Sequence, residues 1–212
     1  MPVIYLDYNA TTPVRPDVRA ALLPYLTEAS ITGHKLHAPK GVGALYVRRK
    51  APFTPLLHGG HQERGLRGGT ESVPLIVALG KAAELAHQEV TAYDARVRPL
   101  RDRLERGILE NVRDTELNGH VTLRLANTTN LTFRGIASDA LLMLLDQEGI
   151  CASSGSACLA DSDEPSHVVR AMKSDSGASR QMVRFSLDRE TTAVEIDATV
   201  QAVGRVVGAL RQ

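Results

Sequence analysis

A long stripe of apolar side chains runs through the middle of the chain. Its members lie three or four residues apart, which is the spacing of positions that share one face of an α-helix. They are Val90, Tyr93, Val97, Leu100, Leu104 and Ile108. The stripe predicts an amphipathic helix from Pro74 to about Val112, which Pro99 interrupts and should bend.

A second stripe closes the chain at the same helical spacing. Its members are Ile196, Val200, Val203, Val207 and Leu210. Thr192 and Glu195 stand three residues apart just before it, which is the signature of a capping box at a helix start. The pattern predicts a closing helix that begins at this pair.

Short apolar runs bounded by polar turns alternate with further helical segments. The predicted strands are the apolar start of VIYLDYNATTPV, then GVGALYVR, NTTNLTF, ICAS and QMVRFSL. The predicted helices are RPDVRAALLPYLTEA, SDALLMLLDQEG and EPSHVVRAM. Ser138 is the predicted N-cap of the second of these helices, and Gly149 lies just past its end. Strands that alternate with helices able to cover one face predict a two-layer α/β sandwich.

The composition is that of a globular protein with balanced charge. The chain has 212 residues, of which 43% are hydrophobic and 23% charged, and a net charge of +1. This length allows one large domain, or one domain and a fragment. A basic excess that would favour nucleic acid is absent, and no apolar run approaches the roughly 20 residues that span a bilayer. The N-terminal residues lack a signal-peptide pattern, so we expect a cytoplasmic protein that binds neither nucleic acid nor membrane.

The two cysteines, Cys151 and Cys158, have different sequence surroundings. Cys151 lies in the apolar run GICAS, whereas Cys158 follows the small and hydroxyl-rich residues 153–157. A disulfide is not expected in a reducing compartment, and no clustered His/Cys spacing indicates a metal. Cys151 is therefore interpreted as a buried strand residue. For Cys158 the local sequence leaves two interpretations open, a reactive thiol and an ordinary loop cysteine.

Lys35 is one of only five lysines, and it lies in the Gly/Pro-broken stretch SITGHKLHAPKG. One interpretation is a solvated loop with basic residues. The other is a lysine that forms a Schiff base with an aldehyde cofactor. In that case Thr32 and His34, on either side of Gly33, would hold a phosphate, as in a pyridoxal phosphate site.

The motifs and their order resemble those of cysteine desulfurases, which are pyridoxal-phosphate enzymes of the class V aminotransferase group. The resemblance covers nearly the whole chain. It is carried by YLDYNATTPV, GHKLHAPKGVGALYVRR, HGGHQERGLRGGTESVP, NLTF, SSGSAC, EPSHVVRAM, VRFSL and TTAVEID. It implies an α/β protein with the two-layer small domain of a fold-type I pyridoxal-phosphate enzyme and a remnant of the large domain.

The resemblance also implies roles for particular residues. Lys35 would be the Schiff-base lysine, which later moves the α-proton of the substrate, and Thr32 and His34 would contact the cofactor phosphate. Thr70 would reach the cofactor phosphate of the other subunit in a homodimer. Arg184 would bind the carboxylate of L-cysteine. Cys158 would take up the sulfur as a persulfide and leave alanine, and the sulfur would pass to an acceptor or iron–sulfur scaffold for iron–sulfur cluster or thio-cofactor assembly.

The sequence departs from the family pattern in one large respect and two small ones. In the family the Schiff-base lysine lies near mid-sequence, so most of the large cofactor domain is missing between the N-terminal helix and Lys35. We therefore expect residues 1–29 to pack on the small domain, residues 30–98 to be the remnant of the large domain and residues 99–212 to be the small domain. Asp188 stands where the family usually has glycine, and His61 interrupts a usual glycine run.

Two main hypotheses follow. The chain is a cysteine desulfurase by descent, with pyridoxal phosphate bound poorly unless a partner supplies the missing groups. Alternatively it is a non-catalytic small-domain module that dimerises, or binds a desulfurase or scaffold, and at most relays sulfur. A different enzyme on the same scaffold is a remote third hypothesis. Self-association is expected in either main case, because the remnant has lost the surface that normally covers it.

Overall fold

The computed structural model describes residues 4–5, 28–155, 165–173 and 177–212. The chain divides into two compact units, one of residues 1–9 with 92–212 and one of residues 10–91. Most of the helix predicted for RPDVRAALLPYLTEA lies outside the described residues. Its last two residues, Glu28 and Ala29, begin a strand instead, so that end of the prediction is wrong.

The larger unit is built on a three-stranded antiparallel sheet. Its strands are β4 (Thr115–Leu117), β5 (Thr128–Phe133) and β7 (Met182–Ser186), in the order β4-β5-β7. Two short strands, β1 (Ile4–Tyr5) and β6 (Ile150–Cys151), pair in parallel beside it. The runs NTTNLTF and QMVRFSL are therefore confirmed as strands, whereas β4 was not predicted.

Four α-helices are described, and three of them cover one face of this sheet. Helix α1 (Val73–Asn111) runs through Pro99 without a break and spans both units; the others are α2 (Ser138–Gln147), α3 (His167–Met172) and α4 (Ala193–Leu210). Val97, Leu104 and Ile108 of the first predicted stripe are fully buried. They pack with Val183 and Phe185 of β7 in one core, which confirms the two-layer α/β architecture. None of the helices in the described ranges is both long and apolar enough to cross a membrane.

Of the two predicted helix caps, the capping box at the start of α4 is confirmed and the Ser138 cap of α2 is wrong. At α4, Thr192 Oγ1 accepts from the Glu195 amide at 3.3 Å, and the Thr192 amide donates to Glu195 Oε2 at 2.7 Å, which is the predicted capping box. The N-cap position of α2 is occupied instead by Ala137, whose side chain makes no capping hydrogen bond. Ser138 is its first helical residue, and the Ser138 hydroxyl lies 2.9 Å and 2.8 Å from the carbonyl oxygens of Arg180 and Met182.

The smaller unit contains an antiparallel ribbon of β2 (Glu28–Thr32) and β3 (Gly43–Val47). Strand β3 confirms the prediction for GVGALYVR, and the polar stretch from Leu57 to Ser72 is a loop with one 3₁₀ turn at Gln62–Gly65. Many large apolar side chains of this unit are exposed. They include Ile31, Leu45, Tyr46, Leu56, Leu57, Val73, Ile76 and Val77.

Candidate functional site

Lys35 lies in a tight turn that joins β2 to β3. The 3₁₀ turn Gly33–Leu36 begins directly after Thr32. The Gly33 amide donates to the carbonyl of Val42 at 2.9 Å, and the amide of Ala38 donates to the carbonyl of Gly33 at 3.0 Å. A Cβ at position 33 would lie 2.7 Å from Val42 Cγ1, so only glycine lets the two sides of the turn approach this closely.

Thr70 follows a loop that folds back on itself. The Gly68 amide donates to the carbonyl of Leu57 at 2.9 Å. A Cβ on Gly68 would lie 2.9 Å from both the Gly59 nitrogen and the His58 carbonyl oxygen. The glycine therefore permits a close backbone contact that holds the loop just before Thr70.

The four residues predicted to hold pyridoxal phosphate share one property. Thr32, His34, Lys35 and Thr70 are all exposed. A lysine that forms a Schiff base, and hydroxyls that hold a phosphate, need surroundings that exclude water. The described residues of this unit supply the amine, the imidazole and two hydroxyls, but they do not enclose them. The cofactor that the family implies therefore does not fit this unit on its own.

Arg184 lies in the larger unit, in the middle of β7. Its neighbours Val183 and Phe185 are fully buried in the helix-covered core. Side chains alternate along a strand, so Arg184 lies on the opposite face of the sheet. Met182, on the same face as Arg184, packs with Val169 of α3 and Ala178.

This second face of the sheet is polar. Asn130 of β5 stands directly opposite Arg184 in the register. Asn118 Nδ2 donates to Asn130 Oδ1 at 2.6 Å and to Thr132 Oγ1 at 2.8 Å. Ser186 lies two residues after Arg184 and is fully buried, and its hydroxyl has no hydrogen-bond partner among the described residues. A buried hydroxyl on the same strand face as a guanidinium suits a polar or anionic ligand.

Arg184 also pairs with the chain that leaves β6. The Ser153 amide donates to the Arg184 carbonyl at 3.1 Å, and the Arg184 amide donates to the Ser153 carbonyl at 2.6 Å. Cys151 lies two residues earlier, in β6, and is half-buried. Cys158 lies outside the described residues. Sequence reasoning identified Arg184 but missed Ser153 and Asn130, because their relation to it is one of strand register.

Asp188 is buried in the turn that follows β7. Its amide donates to Thr191 Oγ1 at 3.0 Å, and the Thr191 amide donates to the Asp188 carbonyl at 3.1 Å. Burial, helped by the Asp188 charge and opposed by a hydrogen bond with Asn127, raises the pKa of Tyr93 to about 12. The residue that departs from the family's glycine therefore belongs to a buried polar turn. Within the described ranges, no group of three or more His, Cys, Asp or Glu side chains could hold a metal ion.

Comparison with known proteins points to one family. The Aminotransferase class-V family model matches residues 28–199. The chain is 54% identical over 182 residues to cysteine desulfurase 2 of Trichormus variabilis (strain ATCC 29413 / PCC 7937), covering 86% of this chain and 46% of that protein. It is 52% identical over 182 residues to the cysteine desulfurase NifS of Azotobacter vinelandii, covering 86% and 45%. The chain thus spans about half the length of these curated relatives.

The chain is also similar to solved structures of NifS-like proteins. A NifS-like protein matches with a TM-score of 0.78 and 32% identity, covering 87% of this chain and 47% of that one. A NifS-like protein from Rickettsia africae ESF-5 matches with a TM-score of 0.76 and 29% identity, covering 85% and 47%.

Proposed function

Because the chain belongs to the class V aminotransferase family, and its curated relatives include cysteine desulfurases, we propose that it handles sulfur from L-cysteine. In the proposed reaction the thiol of Cys158 takes the sulfur atom of L-cysteine. The Cβ–S bond of the substrate breaks with its electron pair kept by Cβ, which takes up a proton to become the methyl group of alanine, and an S–S bond forms on Cys158. We expect this reaction to take place in the cytoplasm, where reducing conditions keep both cysteines as thiols.

The observation that carries the proposal is the polar face around Arg184. A half-buried guanidinium, the facing amide of Asn130 and the hydroxyl of Ser186, which no described residue partners, would form a site suited to a carboxylate. Arg184 would bind the substrate carboxylate, since guanidinium and carboxylate groups match in geometry and charge. Lys35, Thr32 and His34 would hold pyridoxal phosphate only where further groups enclose them, as in a homodimer or with another protein. In a homodimer, Thr70 would reach the cofactor phosphate of the other subunit.

The test is to incubate the chain with L-cysteine, pyridoxal phosphate and a complete desulfurase whose own sulfur-accepting cysteine is replaced by alanine, and to map persulfide by mass spectrometry. We expect one additional sulfur on the peptide that contains Cys158, lost in Cys158→Ala and kept in the matched control Cys151→Ala. Alanine release is measured in the same samples. Sulfur on Cys151, or on neither cysteine, would contradict the proposal.

A second candidate function is a sulfur relay without turnover. The exposure of Thr32, His34, Lys35 and Thr70 favours it, because no described group shields a cofactor there. In this case the chain would bind a complete desulfurase or an iron–sulfur scaffold and pass sulfur through Cys158. Sulfur that reaches Cys158 from a complete desulfurase, without alanine formation by the chain itself, would select the relay over the enzyme.

A further inference from the structure

The loop between β4 and β5 turns its apolar side chains towards solvent. Val121, Leu123 and Leu125 are 70%, 81% and 53% exposed. Arg124 of the same loop points the other way, since its side chain is only 11% exposed and pairs with Glu105 of α1 at 2.5 Å. The loop therefore has a fixed conformation in which three apolar side chains are displayed.

The imidazole of His120 holds the first half of this loop. The amides of Thr122 and Leu123 donate to His120 Nδ1 at 3.1 Å and 3.0 Å, and the Thr122 hydroxyl lies 3.3 Å from the same nitrogen. An imidazole nitrogen accepts a hydrogen bond only when it carries no proton. The geometry therefore requires a neutral ring with its proton on Nε2.

We propose that His120 is a pH-sensitive latch, a side chain that closes residues 119–123 when it is neutral and releases them when it is protonated. Protonation of Nδ1 replaces the acceptor of two amides with a donor, so both hydrogen bonds are lost at once. The latch lies in the larger unit, outside the candidate site, and does not depend on the proposed function.

Both ends of the latched segment are fixed by groups other than the imidazole. Before the segment, the Asn118 amide donates to the carbonyl of Asn130 in the sheet at 2.9 Å. After it, Arg101 Nη1 of α1 donates to the carbonyl of Leu125 at 2.6 Å. Release of the latch therefore frees residues 119–123 and leaves the rest of the loop attached.

The charged groups packed against the loop are paired. Arg124 pairs with Glu105, and Arg101 pairs with Asp102 at 2.6 Å. Within the described part of the chain, the hydrogen bonds of the His120 ring are all made inside the loop. Ordinary carboxylates and guanidinium groups keep their charge between pH 5.5 and 8, whereas an ordinary imidazole does not. The imidazole is therefore the group of this cluster that can respond to pH in that range.

The direction of the response follows from the proton count. The closed loop needs Nδ1 without a proton, so the open loop binds one proton more than the closed loop. A fall in pH therefore favours the open form, and a rise favours the closed form. In the open form the amides of Thr122 and Leu123 are available to water, and the display of Val121 and Leu123 is lost.

The experiment measures hydrogen exchange of single amides by NMR in the full chain at pH 8 and pH 5.5, corrected for the intrinsic effect of pH on exchange. The amides of Thr122 and Leu123 report on the latch, and the amide of Asn118 is the internal reference. His120→Asn keeps an acceptor, because an asparagine oxygen is bonded to Cγ as Nδ1 is and does not titrate. His120→Ala removes the acceptor, and His167→Asn, at another exposed histidine of the larger unit, is the matched control.

We expect the protection of the two loop amides to fall by about three- to tenfold from pH 8 to pH 5.5 in the wild-type chain, the effect of one lost hydrogen bond. His120→Asn should keep the protection at both pH values, His120→Ala should lack it at both, and His167→Asn should behave as the wild type. An equal fall in His120→Asn would overturn the inference. A fall shared by the Asn118 amide would overturn it too, because it would indicate unfolding of the larger unit, and so would a nitrogen NMR spectrum at pH 8 that places the ring proton of His120 on Nδ1.

Discussion

The phenol of Tyr93 donates a hydrogen bond to the main-chain carbonyl of Leu187, 3.3 Å away across the larger unit. Burial is the main cause that raises the pKa of Tyr93 to about 12, and the Asp188 carboxylate adds to it. An alkaline titration followed by ultraviolet absorbance should therefore show a tyrosine that ionises near pH 12, and this step should be lost in Tyr93→Phe. Tyr46→Phe, at an exposed position, is the control and should leave the step near pH 12 in place.

The raised pKa of Tyr93 also determines how the free energy of unfolding changes at alkaline pH. The unfolded chain loses the Tyr93 proton near pH 10 and the folded chain near pH 12. The folded state therefore binds the proton more tightly, and the free energy of unfolding should fall as the pH rises from 10 to 12. Tyr93→Phe should flatten this part of the profile in urea titrations. An equally steep fall in the variant would contradict the assignment.

Glu116 of β4 links three parts of the larger unit. Arg134 donates to it from Nε and Nη2 at 2.8 Å and 2.9 Å, and Lys173 from Nζ at 2.9 Å. These hydrogen bonds, that from Arg134 first, lower the pKa of Glu116 from 4.5 to about 2. The group is 44% exposed, so solvent screening limits its contribution to stability to about 1 kcal/mol or less.

Acid titration of stability tests this cluster. The stabilisation is fully present above pH 4.5 and is lost as the pH falls towards 2, because the unfolded carboxylate is protonated first. Glu116→Gln should lower the free energy of unfolding at neutral pH and reduce its slope between pH 4.5 and 2. Glu190→Gln is the control, since that side chain is 76% exposed. Identical slopes for the two variants would show that the cluster is not stabilising.

Two helical glycines differ in the space beside them. A Cβ on Gly107 of α1 would lie 2.8 Å from Val200 Cγ2 of α4, whereas a Cβ on Gly204 of α4 would meet nothing within 4 Å. Alanine favours a helix interior over glycine by about 1 kcal/mol. Gly204→Ala should therefore stabilise the protein by about that amount, and Gly107→Ala should destabilise it through the stiff valine side chain.

A double mutant separates the steric effect from helix propensity. In Gly107→Ala/Val200→Ala the clash is gone, so the two changes should couple favourably in urea denaturation. Additive effects would indicate that α1 and α4 do not approach as closely at this point.

The elements that could be predicted from the sequence are those whose signals are local. Helices α1 and α4 have long stripes, and α4 has a capping box that the structure contains. Strand β2 was mistaken for a helix end because Glu28 and Ala29 are ordinary helix residues. Pairing of Glu28 with Val47 across the ribbon overrides that preference. Ser138 was predicted as a helix cap, but its hydroxyl donates to the carbonyl oxygens of residues more than 40 positions away in the sequence.

In the candidate site, too, the sequence carried local signals but not long-range contacts. The motifs suggested roles for Arg184 and Lys35, but they carried no information about the surroundings of these residues. The contact of Ser153 with Arg184 joins residues 31 positions apart through strand register, which short motifs do not encode. The exposure of Lys35 likewise depends on what packs against the ribbon, and residue spacing alone carries no information about that.

The exposed apolar residues of the smaller unit predict self-association. Leu45 and Tyr46 of β3 and Val77 of α1 are 53%, 46% and 64% exposed. Large exposed apolar surface and open strand edges favour contact between chains. Light scattering should therefore give an apparent mass that rises with concentration, and Val77→Lys should reduce the rise. Lys81→Ala, one turn further along the same helix, is the control, and a chain that stays monomeric at all concentrations would contradict the prediction.

Lys35 should bind pyridoxal phosphate weakly in the isolated chain. Its turn is closely packed at Gly33, but Lys35 and the neighbouring Thr32 and His34 are exposed, so water competes for every group that the cofactor would use. Borohydride reduction followed by peptide mapping should give about as much adduct on Lys35 as on the exposed Lys40. A stoichiometric adduct on Lys35, lost in Lys35→Ala and kept in Lys40→Ala, would show instead that the smaller unit closes around the cofactor when it binds. The same measurement after addition of a complete desulfurase tests whether a partner supplies that enclosure, because adduct on Lys35 should then increase while adduct on Lys40 stays constant.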